Sequence, residues 1–167
     1  MELIRNAAEN ALLAAELPVV PPQPDAPIGR VRTSQVTVQI RRCAMDGKYR
    51  YLGTYETETA PLELYAHQAK AEVLATAHTP ADDGGTGCAA LAAQVADCWL
   101  GGVTGLSMQC VTIAAPEYNA ALDCFVCTVC AEVSAWVYAL PVDDGAYFED
   151  FALKGTLLAW NGQEDNR

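Results

Sequence analysis

Positive charge is scarce in this chain. Ten Lys and Arg stand against 21 Asp and Glu, a formal net charge of -11. That balance excludes a protein that grips nucleic acid through phosphate contacts. Histidine is rarer still, with only His67 and His78, so general bases are few. Long apolar runs are missing: nothing approaches the ~20 residues of a membrane span. Glu2, Arg5, Glu9 and Glu16 interrupt the N-terminus, which therefore lacks a signal-peptide apolar core. The chain reads as one that stays in a cytosol and is not secreted.

Cysteine, by contrast, is present seven times. An odd count fits reduced thiols better than a disulfide framework. Three of the seven fall in CFVCTVC (124–130), a spacing that resembles the opening of an iron–sulfur ligand run. Parity argues against a shared ion. Over 122–140 the odd positions Phe125, Cys127, Val129, Ala131, Val133, Ala135 and Val137 are all apolar, and the even ones are mixed. That is a strand with one core face. On a strand Cys127 points away from Cys124 and Cys130, which lie roughly 20 Å apart at ~3.3 Å per residue. A tetrahedral zinc needs its sulfurs about 2.3 Å from one point. An iron–sulfur run also needs a fourth cysteine and glycines in its flanks, and neither is here. These thiols read as small core hydrophobes, and no cofactor is expected.

Other chemistry is equally thin. GGTGC (84–88) runs into a helix N-terminus, but no Lys follows at P-loop spacing. Cys88 at that terminus is a candidate nucleophile, with His78 as the nearest base in sequence. The acidic pairs Asp82-Asp83, Asp143-Asp144 and Glu149-Asp150 sit in turn-like or alternating segments, where solvated acids are expected. Calcium-loop spacing is absent.

The elements read in order as follows. Residues 3–16 form a helix with Ile4, Ala8, Ala11, Leu12 and Ala15 on one face. The run 19–29, with four prolines, makes an extended connector or an arm toward a neighbouring subunit. SQVTVQIRRC (34–43) is a half-buried strand, and the Asp-Gly turn in 45–48 predicts a hairpin with 49–58. Residues 60–69 are ambiguous. Residues 70–78 alternate as a strand. TPADDGGTG (79–87) is a loop with Thr86 as N-cap, followed by a helix over 88–100 that ends at Gly101-Gly102. Strands follow at 106–113 and 122–140, separated by a turn at 116–121. A turn at 141–145 leads to a last strand or hairpin within 146–160. The domain division is a helix at 1–17, a Pro-rich connector or arm at 18–32, an α+β domain at 33–160 and a polar tail at 161–167. The fold class is α+β: a mostly antiparallel (mixed) sheet covered by two helices, in the order α-β-β-β-α-β-β-β.

A family resemblance rests on two segments, KAEVLATAHTPADDGGTGCAALAAQVADCWL and APEYNAALDCFVCTVCAEVSAWV, with SQVTVQIRR and FALKGTL similar in style. This pattern over about 34–157 resembles the tail terminators and minor tail proteins of tailed phages and prophages. It is a pattern of elements and small residues, and it carries no residue signature. The resemblance implies a structural virion protein rather than an enzyme. It implies a homo-hexameric ring that caps the tail tube, joins it to the neck and is assembled in the bacterial cytoplasm. Its partners would be the tail tube protein and neck or connector proteins, with no membrane. DNA would pass through without specific binding, in a lumen lined by acids. A tail tube protein and a neck (head-completion) protein are alternatives, and a small cytosolic thiol enzyme using Cys88 is a third from another class. Candidate subunit contacts are Arg41 and Arg42 on strand 34–43, and Asp82, Asp83 and Thr86 in loop 79–87.

Overall fold

A computed structural model describes residues 1–21, 30–56, 61–139 and 151–154. The proline-rich run beyond Pro21, the turn at 141–145, most of the segment 146–160 and the polar tail lie outside the described residues. Two helices lie on one face of an antiparallel sheet, which bears out the α+β reading. The strands are β1 (Gln35–Met45), β2 (Arg50–Glu56), β3 (Pro61–Pro80), β4 (Ser107–Ile113), β5 (Glu117–Asn119), β6 (Cys124–Ala139) and β7 (Phe151–Lys154). The helices are α1 (Glu2–Ala14) and α2 (Gly84–Leu100).

Two long strands, β3 and β6, form the middle of the sheet, and its main path runs β1-β3-β6-β4. Each is lined by an interrupted partner. β1 runs antiparallel to β3 from Gln35 opposite His78 to Met45 opposite Ala69. β2 then runs along the start of β3, with Arg50 opposite Ala66. Along β6, β4 covers Val129–Ser134 and β5 covers Cys124–Val126. The expected hairpin between 34–43 and 49–58 is therefore not formed. The Asp-Gly turn makes a short excursion instead. Asp46 N–H donates to Gln68 O at 2.8 Å before the turn, and Asp46 Oδ1 accepts from Lys48 N–H at 3.1 Å within it. The reason is the length of β3. The ambiguous residues 60–69 extend it to 20 residues, so it offers a continuous ladder to both β1 and β2. The turn expected at 116–121 likewise contains β5. Pro116, which has no N–H to donate, falls in the gap between β4 and β5.

Parity governs burial. On β3 the odd positions from Ala69 to Thr79 are buried, and on β6 the same holds from Cys127 to Ala135. Helix α2 covers this face with Cys88, Leu91, Ala92, Val95, Ala96 and Trp99. Helix α1 adds Ile4, Ala8 and Leu12. Its thirteen residues are marginal as an isolated helix, so packing holds it. The Trp99 indole N–H donates to Ala8 O at 3.3 Å, and the Cys98 thiol to Ala11 O at 3.3 Å.

Helix α2 begins at Gly84, earlier than expected, so Thr86 lies in its first turn and is not the N-cap. Residues Ala81–Asp83 form a 3₁₀ turn that hands over at Gly84, whose φ of 65° suits glycine. A Cβ on Gly87 would come within 3.0 Å of Asp83 Cβ, so this glycine lets the helix close on the 3₁₀ turn.

Candidate functional site

The even positions of β3 and β6 build the sheet face that the two helices leave uncovered. Register sets them in rows. Thr37, Thr76 and Thr128 lie side by side on β1, β3 and β6. Gln39, Leu74, Cys130 and Thr112 form the next row. The charged row comes next: Arg42, Glu72, Glu132 and Cys110. A bulge after Ile40 shifts the alternation by one residue, and Arg41 also reaches this row.

Glu72 is the hub of the charged row. Its Oε1 accepts from Arg41 Nη1 at 2.9 Å and from the Cys130 thiol at 3.2 Å. Burial, the Glu72 hydrogen bond and the Glu72 charge, in that order, push the Cys130 thiol up to about 11. Gln109 Nε2 donates to Ser107 Oγ at 3.2 Å and Ser134 Oγ at 3.3 Å. A cleft of about 570 Å³ crosses this region, lined among others by Arg42, Lys70, Glu72, Gln109 and Glu132. Its charges are mixed.

Among the described residues the sheet also ends in two largely uncovered edges. β1 and β4 are the outer strands of the main path. Residues Pro18 and Val20 bond to Val36 and cover the start of β1. Past Val36, no strand among the described residues pairs with the outer edge of β1, and none pairs with that of β4. Ile113 at the end of β4 is 48% exposed.

The sequence candidates fall in two places. Arg41 and Arg42 lie on the open face, Arg41 paired with Glu72 in its own chain. Asp82 and Asp83 are exposed in the 3₁₀ turn and Thr86 in the first turn of α2, at the far end of β3. Asp83 Oδ2 accepts from Ser34 Oγ at 3.4 Å. Glu72 lies eight residues before Pro80, roughly 26 Å away along an extended strand, so the structure does not bring the two groups together. Nothing in the sequence joins Glu72, Glu132, Cys130 and Gln109 into one row: parity puts the first three on one face of their strands but gives no register, and the irregularity between Met108 and Cys110 hides Gln109.

Burial works against activation of five of the seven thiols. Cys88 is fully buried, and burial pushes its pKa up, opposite to what a nucleophile needs. Its thiol donates to Ala77 O at 3.6 Å on the helix side of β3. His78 sits at an even position on the other side, and burial lowers its pKa. Burial likewise raises Cys98, Cys124 and Cys127. Cys127 faces the helix core and Cys130 the open face, as alternation demands. Among the described residues no cluster of three His, Cys, Asp or Glu is placed to hold a metal ion, and no helix is long and apolar enough to cross a membrane. No protein-family model matches the chain, and no curated protein matches it either.

Proposed function

We propose that this chain is a structural subunit of a tailed phage or phage-like particle. It forms a ring that caps the tail tube and joins it to the neck. The observation that carries the reading is a four-strand path whose two outer edges no described strand covers past Val36. Successive strands of that path are antiparallel, so β1 and β4 run in opposite directions. A second copy set beside the first in the same orientation brings its β1 antiparallel against β4. The strand alternation continues, and both helix layers stay on one side. Such a contact joins two different surfaces, and contacts of that kind close into rings when the rotation between copies allows. An unpaired strand edge is a ready template for the addition.

On this reading the polar open face turns toward the axis and the helices outward. Mixed charges there, with Thr, Gln and Ser between them, would let DNA pass without a continuous basic track to hold it. Arg42, exposed near the β1 edge, would meet the neighbour's β4 side, where Glu132 lies opposite Cys110. Assembly control follows from geometry: a closed ring leaves no edge for further growth in its plane.

Light scattering on a sizing column across protein concentration, with negative-stain images of the peak, tests the proposal. A mass near six subunits, or rings, supports it. A concentration-independent monomer that also fails to add to tail tubes overturns it. A monomer whose Cys88 outpaces its other thiols toward an alkylating reagent would favour the thiol enzyme instead.

A further inference from the structure

The end of the sheet away from Gln35 carries aromatic rings that the core does not use. Odd positions of β3 are buried under the helices from Ala69 onward, but Tyr65 is 47% exposed. Tyr51 lies opposite it on β2, 55% exposed, with ring centres 5.6 Å apart. Tyr49, 70% exposed, stacks on His67 at 3.9 Å. Tyr65 and His67 are two apart on one strand and share a face, so the four rings form two adjacent pairs.

They are held in place. Asp46 O lies 2.7 Å from His67 Nδ1. Tyr65 O–H donates to Glu63 at 2.7 Å, and the Tyr51 hydroxyl bonds Thr54 at 2.8 Å. Rigid, half-exposed rings in paired rows are what proline-rich ligands dock on.

The chain carries a ligand of that class. Pro18, Pro21, Pro24 and Pro27 recur at every third position. A polyproline II helix has three residues per turn, so this spacing lines prolines along one side of it. Asp25 lies within the run, and the exposed Lys48 beside Tyr49 offers it an opposite charge.

Reach decides whose prolines these are. Val20 is bonded to Val36, and Arg30 is paired with Asp123 at 2.7 Å, both at the far end of the sheet. From Val36 to Met45 the strand covers about 30 Å at ~3.3 Å per residue. The nine steps from Pro21 to Arg30 extend at most ~31 Å, and out and back that is a reach of about 15 Å. The segment cannot reach the rings of its own chain.

We propose that Tyr49, Tyr51, Tyr65 and His67 form a docking platform for the proline-rich segment of a second copy of this chain. The platform and the residues that flank the segment, Val20 and Arg30, lie at opposite ends of the sheet, so the contact is head-to-tail. It uses neither the β1 nor the β4 edge, and it stands or falls separately from the ring proposed above.

A fluorescent peptide of residues 18–30 tests it on the variant Pro21→Ser/Pro24→Ser/Pro27→Ser, whose own segment no longer competes. Anisotropy is expected to show saturable binding, roughly tenfold weaker once Tyr51→Ser and Tyr65→Ser are added. No binding, or binding that ignores the tyrosines, overturns the proposal. The second arm mixes the proline variant with a Tyr51→Ser/Tyr65→Ser chain. Each retains one half of the contact, so the mixture forms one-to-one complexes that neither variant forms alone. End-to-end association by either variant alone at the parent's strength would also overturn it.

Discussion

Replacing Trp99 tests how α1 is held. Its side chain is fully buried between α2 and α1, and its indole N–H reaches Ala8 O at 3.3 Å. Removing a buried Trp side chain costs ~3–5 kcal/mol, through lost burial and the cavity left behind. A domain of this size holds ~5–15 kcal/mol in total, so Trp99→Ala removes a large fraction. Trp99→Phe keeps a ring and loses the hydrogen bond. Ala8 lies inside α1, where its carbonyl also serves the helix, so no orphan acceptor remains and the change costs about 1–2 kcal/mol. Urea titration under reducing conditions reads both. With a slope near 2 kcal/mol/M, the Ala variant's midpoint falls by about 2 M and the Phe variant's by less than 1 M. Hydrogen exchange adds a local reading, because α1 amides in the Ala variant lose protection first. A loss below about 1 kcal/mol for Trp99→Ala, or unchanged protection in α1, would refute this account of the packing.

Two further outcomes follow from the thiols and Glu72. Cys130 has a folded pKa raised from 9.0 to about 11, so its proton stays on in the fold after the unfolded chain has lost it; the linked stability is complete below pH 9 and declines from there to about 11. Stability curves across that window should fall, and Cys130→Ser should make the fall shallower without removing it, since burial also raises Cys88, Cys98, Cys124 and Cys127; a parent curve no steeper than the variant's would contradict the burial of this thiol. Glu72→Gln removes the carboxylate that accepts from the thiol, so the Cys130 pKa should drop yet stay above 9.0, because burial is the largest cause of its shift. Thiolate absorbance against pH reads this directly, and an unshifted value would count against the contact.

What the residues made legible was local. The alternation in 122–140 places Cys127 and Cys130 on opposite faces because one face of β6 is packed under a helix. The alternation of Ala71, Val73, Ala75 and Ala77 does the same for β3. Pairing was not legible. An Asp-Gly turn between two strand-like segments favours a hairpin on local grounds, yet β3 takes both segments along its length. That outcome depends on residues 60–69, which by themselves allow a short helix or an irregular crossing. Register was hidden for the same reason. Glu72 lies opposite Glu132, an arrangement of like charges that is unfavourable by itself and is offset by Arg41 at 2.9 Å. Nothing short of the β3–β6 pairing reveals that hub. The bulge after Ile40 is a further case, since plain alternation would have put Arg41 and Arg42 on opposite faces.

The cysteines also explain where function can reside. Ala69, Ala71, Ala75, Ala77, Cys127, Ala131 and Ala135 make a sheet surface of small side chains, met by Cys88, Ala92 and Ala96 of α2. Small residues on both sides let helix and sheet approach closely, and thiols fill such gaps as compact hydrophobes. Among the described residues the only buried polar side chain is Thr79. Over those residues this helix–sheet core is lined by small apolar side chains. The helix layer packed on the sheet supports its central strands β3 and β6. Every distinctive feature lies outward from it: the mixed-charge rows on the open face, the bare edges of β1 and β4, and the ring pairs at the far end. The contacts proposed for these surfaces can be tested one at a time: the open face, the β1 and β4 edges, and the ring pairs.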